Sequence, residues 1–302
     1  MRLALVFLGA SLAPCAALAH AGEAHVAVDL WRAFSFDLYV VLPMLLTAGV
    51  YGAGVARLWR RAGRGRGIET WRAGCFVGAM LALSLALIWP FDALGGMILS
   101  AHMVQHVLLT AVAAPLLVLS APLAAGLWAL PLAGRRLVGG VAHGAGMRQG
   151  WRWLTLPLFA WSFYAASLWL WHMPRLYEAA ARHELVHLFE HLCFLASALV
   201  LWWAALLSAR ISALGVVAGI FLLFTTAVQD GLLGALLVFA PRPLYGFYIE
   251  AAQLLGRDPL ADQELAGVFM WVFGGMIYLA AALALAWRML ATDGAVSERL
   301  RA

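Results

Sequence analysis

The chain has 302 residues, of which 65% are hydrophobic and 12% charged, about half the charged share of a soluble domain. Its mean hydropathy is +0.89, which excludes an ordinary soluble enzyme. All 20 basic residues are arginine and they outnumber the 15 acidic ones to give +5; Cys15, Cys75 and Cys193 form no CxxC pair, so neither a zinc ribbon nor a disulfide framework is indicated.

Arg2, the apolar run Leu3 to Leu12 and Ala17-Leu18-Ala19 before His20 carry the n-region, h-region and small-residue cleavage pattern of a secretory signal. Residues 1–19 are therefore expected to be a signal peptide and 20–33 a periplasmic tail. With His20 as first residue, its amine and imidazole would offer a copper-chelating brace. Seven apolar segments follow, at about 34–58, 73–90, 98–129, 153–173, 185–207, 211–240 and 265–288. Each approaches or exceeds the roughly 20 residues that cross a bilayer as helix. The expected fold is all-α, a polytopic membrane protein with a bundle of seven transmembrane helices over 34–290 and a cytoplasmic tail over 291–302.

With the mature N-terminus outside, fourteen arginines fall in the inner loops and tail: six between Arg57 and Arg72, then Arg135, Arg136, Arg148, Arg152, Arg210, Arg288, Arg299 and Arg301. Five, Arg32, Arg175, Arg182, Arg242 and Arg257, lie outside. This asymmetry places the N-terminus in the periplasm and the C-terminus in the cytoplasm of a bacterial inner membrane. Carboxylates show the reverse bias, and an acidic outer face attracts cations and basic partners. The Arg60 to Gly67 loop reads as a flexible linker beside anionic lipid headgroups. No nucleic-acid partner is implied.

In that topology every histidine but His143 is on the outer side. His102 and His106 open the third segment, His172 closes the fourth, and His187 and His191 open the fifth. Residues four apart share a helical face, about 6 Å apart along the axis, so each pair can reach one ion or one pocket. Imidazole is the commonest metal ligand, and ionisable groups at membrane depth are functional candidates by default. These five are the metal-site candidates, with Met103, Met173, Asp230 and His20 as secondary ones; thioether donors select copper(I). Two overlapping motifs, His183-Glu184-Leu185-Val186-His187 (HExxH) and His187-Leu188-Phe189-Glu190-His191 (HxxEH), also match zinc-protease patterns. They share His187 and cannot both serve one ion.

The segment Ser100-Ala101-His102-Met103-Val104-Gln105-His106, running on to Ala114-Pro115 and Ala121-Pro122, resembles the CtaG family of cytochrome c oxidase assembly factors. So do Trp171-His172-Met173-Pro174, His187 and His191 before Leu201-Trp202-Trp203, Pro241-Arg242-Pro243-Leu244-Tyr245, and Pro259-Leu260-Ala261-Asp262-Gln263 with Gly267 and Met270-Trp271. The resemblance runs in order over roughly residues 30–290. It implies a seven-helix inner-membrane protein that assembles haem-copper oxidase and is linked to copper supply, with the family's histidines at His102, His106, His172, His187 and His191.

The resulting expectation is a non-enzymatic metallochaperone, with no catalytic residues, that takes copper from the periplasmic side. It would pass the copper to an oxidase subunit, or exchange it with another copper chaperone, on that face. Residues 241–264 are a candidate docking element or lid. The alternatives are a haem protein with axial histidines from the third and fifth helices, a copper transporter with Asp230, Glu190 and Asp92 along its path, and an intramembrane zinc metalloprotease.

Overall fold

The computed structural model describes residues 34–208 and 213–301. The expected signal peptide, His20 and Arg210 lie outside the described residues. The elements are α1 (Leu38–Ala62), α2 (Thr70–Leu87), α3 (Phe91–Gly95), α4 (Leu99–Leu119), α5 (Pro122–Ala129), α6 (Leu132–His143) and α7 (Ala145–Leu154). They continue as α8 (Pro157–Trp171), α9 (Pro174–Arg182), α10 (Glu184–Ser208), α11 (Ala213–Val238), α12 (Gly246–Leu254) and α13 (Pro259–Ala291, helical on to Arg301). Among the described residues there is no strand.

Among the described residues, six helical stretches are long and apolar enough to cross a membrane: α1, α2 with α3, α4, α10, α11 and α13. A seventh exists only if α7 and α8 are taken as one span bent by 61°. Alone, α8 has 15 residues and a length of about 22 Å, short of the roughly 30 Å hydrocarbon core. The expected third segment, 98–129, is also divided. α4 stops at Leu119, Ala121 adopts a left-handed φ of 55°, and Pro122, which has no N–H to continue a helical ladder, starts α5.

Small residues set the helix crossings. A Cβ at Gly54 of α1 would overlap the carbonyl oxygen of Ala125 in α5, and one at Gly234 of α11 would stand 2.7 Å from the carbonyl of Gly267 in α13. Close backbone approach of this kind is how helices pack in a solvent as apolar as their own side chains. One core cluster joins α4, α8, α10, α11 and α13 around Tyr164, Phe194, Trp202 and Tyr278. A second joins α1, α2 and α5 around Tyr51, Phe76 and Ala125. Arg57 donates to the Ala129 carbonyl (2.6 Å) and Arg72 to that of Leu119 (2.8 Å), satisfying helix C-termini at the opposite end of α4 from His102. Helix α7 buries none of its residues; its Arg148 and Arg152 stand beside Trp151 and Trp153, a mixture suited to a membrane–water interface.

Candidate metal centre

The start of α4 is fixed from another helix. Asp262 of α13 accepts from the Leu99 amide (2.7 Å) and the Ser100 hydroxyl (2.6 Å). That arrangement supplies the anionic partner a helix N-terminus favours. One turn on, His102 and His106 bring their Nε2 atoms to 2.8 Å of each other, both rings being buried. The face of α10 opposite them presents His187 and His191, ring centroids 4.1 Å apart, with Glu190 between. Glu190 is fully buried. Its two oxygens lie 3.8 Å from His102 Nε2 and 3.8 Å from His106 Nε2.

One ligand atom from each of His102, His187, Glu190 and His191 falls within 4.8 Å of all the others. His106 adjoins this group through His102, and His172, at the end of α8, places its ring 5.7 Å from that of His106. The structure thus brings together all five histidines singled out from the sequence.

Their neighbours decide which nitrogen is free. The Tyr248 hydroxyl of α12 donates to the Gly95 carbonyl (2.6 Å). Having one proton, it must then accept from His102 Nδ1–H, 2.8 Å away. Burial raises the Tyr248 phenol well above its ordinary range, so it keeps that proton. His102 Nε2 consequently turns a lone pair toward the cluster, where it accepts from His106 Nε2–H at 2.8 Å. His172 Nδ1 donates to the Leu168 carbonyl (2.7 Å), which leaves its Nε2 as the lone pair too. An imidazole anchored through Nδ1–H with Nε2 free is the arrangement in which histidine ligates metal. The Tyr245 hydroxyl, next to α12, donates to the His172 carbonyl (3.0 Å), and Gln263 accepts from the Leu244 amide (2.7 Å), so the 241–258 segment is tied down over the histidines.

The pocket is under-satisfied as it stands. Nε2 of His172, His187 and His191, Nδ1 of His106 and both Glu190 oxygens are buried with no hydrogen-bond partner among the described residues. Each such atom costs about 1–3 kcal/mol. A cation among the lone pairs removes much of that cost, and imidazoles with a carboxylate are donors that fit copper or zinc.

The remaining candidates stand apart. Met103 is fully buried in the apolar core, and Met173 is 52% exposed. Asp230 of α11 accepts from the Tyr164 hydroxyl (3.1 Å), which also bonds that of Tyr278 (2.9 Å). Between Asp230 and the histidines is a cavity of about 20 Å³ lined by His106, His172 and Tyr164. The HExxH pattern does not assemble: His183 is exposed and Glu184 accepts from Tyr39 of α1. The HxxEH residues do gather, through Glu190, whose place in the ligand group was not foreseen; its position three residues after His187, on one helical face, was the available signal. The rings of His102, His187 and His191 stand 4.1 to 6.0 Å apart.

No curated protein and no solved structure matches the chain. The family model described as cytochrome c oxidase caa3 assembly factor (Caa3_CtaG) matches residues 49–292, a range that holds every helix contributing to the histidine pocket. The chain therefore belongs to the caa3-type cytochrome c oxidase assembly factors.

Proposed function

We propose that this assembly factor binds copper in the histidine pocket and delivers it to the oxidase, acting as a metallochaperone and not as an enzyme. The observation that carries the reading is the convergence of three imidazoles and one carboxylate within 4.8 Å, in which Nε2 of His187, Nε2 of His191 and both Glu190 oxygens have no hydrogen-bond partner among the described residues. The arginine asymmetry supports an orientation in which this pocket opens toward the periplasm. There, copper is exchanged with a soluble carrier or an oxidase subunit docked on the acidic outer face.

The chain's own residues have separable roles in this scheme. His102, His187 and His191 supply nitrogen donors. Tyr248 orients His102, and His106 and His172 form the inner wall toward which the cargo passes or against which it rests. The segment around α12 shields the pocket from bulk water. A few imidazoles with one carboxylate suit ligand exchange better than a closed thiolate cage.

The test is a His102→Ala/His187→Ala double variant in cells that depend on the oxidase. The variant should reach the membrane at the normal level while the oxidase loses most of its copper and activity. Full copper occupancy in the oxidase beside a normally expressed double variant overturns the route. A Soret band in the purified protein would point instead to haem, and metal-dependent peptide cleavage to a zinc protease.

A further inference from the structure

We propose that Glu190 is a direct ligand of the bound ion and that the pocket is built for a dipositive cation of borderline softness, Cu²⁺ or Zn²⁺, and not for Cu⁺. This rests on the proposed metal-binding role of the histidine pocket and assigns its donor set and the charge of its cargo.

Three observations carry it. Glu190 is completely buried in α10, and neither of its oxygens has a hydrogen-bond partner among the described residues. A buried carboxylate is retained when it is paired or coordinates a metal. The groups within 4.0 Å that could answer its charge are His102 and His106, each at 3.8 Å. His102 turns a lone pair toward the cluster, because its Nδ1–H is used on Tyr248. That lone pair accepts from His106 Nε2–H at 2.8 Å, so neither imidazole bonds Glu190 at 3.8 Å, and a cation among these donors would supply the charge the carboxylate lacks.

Second, the ligand group consists of three imidazole nitrogens and one carboxylate oxygen. Carboxylate is a hard donor and imidazole a borderline one, whereas Cu⁺ is selected by thiolate and thioether. Cys193, two residues after His191, is not in the group; it packs among the apolar residues of the core.

Third, a second buried carboxylate faces the same region. Asp230 has one oxygen without a partner among the described residues and stands across the 20 Å³ cavity from His106 and His172, a space that admits about one water. Two carboxylates in a buried setting balance a double positive charge, and a charge so compensated is far less costly to bury than a lone one.

Full-length protein in detergent, freed of metal, is titrated with Cu²⁺, with Zn²⁺ and, anaerobically against a Cu⁺ chelator, with Cu⁺. The expected result is one equivalent of Cu²⁺ or Zn²⁺ and weaker retention of Cu⁺. The Cu²⁺ electron paramagnetic resonance spectrum should show nitrogen and oxygen ligation. Glu190→Gln, similar in size and still polar, should weaken the dications at least tenfold and leave Cu⁺ nearly unchanged. A wild-type preference for Cu⁺, or a folded Glu190→Gln protein with wild-type Cu²⁺ affinity, overturns the assignment. Should the variant not fold, the wild-type preference and spectrum decide alone. A wild-type protein that binds none of the three ions defeats the metallochaperone reading itself, whereas one that binds only Cu⁺ defeats this assignment and leaves that reading standing.

Discussion

The phenol of Tyr248 has one hydrogen, and Gly95 receives it; everything about the state of His102 follows from that bond. Partners of this kind orient the ligand and raise its basicity, and their loss typically reduces metal affinity 10- to 100-fold. Tyr248→Phe removes the oxygen and keeps the ring that packs beside Tyr177. Copper affinity measured by competition should therefore fall by about one to two orders of magnitude, and the thermal midpoint of the metal-free protein should fall as well, because the Gly95 carbonyl and His102 Nδ1–H lose their partner. An unchanged affinity would mean that His102 is oriented without Tyr248. Histidine residues four apart can be read directly from a sequence, because the helical period is fixed. Tyr248 could not be, since it lies 146 residues from its partner and reaches it only through the packing of α12.

At the scale of whole elements, α10 contributes three of the four grouped ligands and α4 the fourth. The angle and distance between helices therefore set the site. The α11–α13 crossing is a sensitive point in the same core, since Gly234 and Gly267 each leave no room for a side chain. Gly234→Val would force these helices apart. Overpacking of this sort costs about 1–3 kcal/mol, and the variant should show a lowered midpoint in a thermal melt and reduced monodisperse yield; a wild-type midpoint would show that the crossing can relax. The apolar runs identify the membrane helices by composition, yet they mark neither the break at Ala121 nor the 61° bend before α8. Hydropathy is insensitive to a single left-handed residue or to Pro157, and both decide where a span ends.

For the molecule as a whole, a cation in the pocket would cross-link α4 to α10. An ion that binds the folded protein alone stabilises it by about 2.7 kcal/mol at a hundredfold excess over Kd. Adding copper to the metal-free protein should raise its thermal midpoint by a few degrees. A His102→Ala/His106→Ala/His187→Ala/His191→Ala variant should show no such rise. Equal shifts in both proteins would place the bound copper elsewhere. The arginine-bonded helix ends and the histidine pocket stand at opposite ends of α4, a separation of charge along the bundle that suits a protein loaded and unloaded from one side.

The amino-acid sequence by itself determined the membrane class, the helical character, the arginine asymmetry, the family and the five histidines. These depend on composition, on helical period and on motifs that are local in the chain. The tertiary structure alone decided that His102, His187 and His191 meet with Glu190 and that Tyr248 frees the Nε2 of His102. It also decided that His183 and Glu184 turn away, and that Asp230 sits behind a cavity instead of among the ligands. A ligand set is a matter of atoms within a few ångströms, and residues far apart in sequence reach that distance only when helix packing fixes their depth and rotation together.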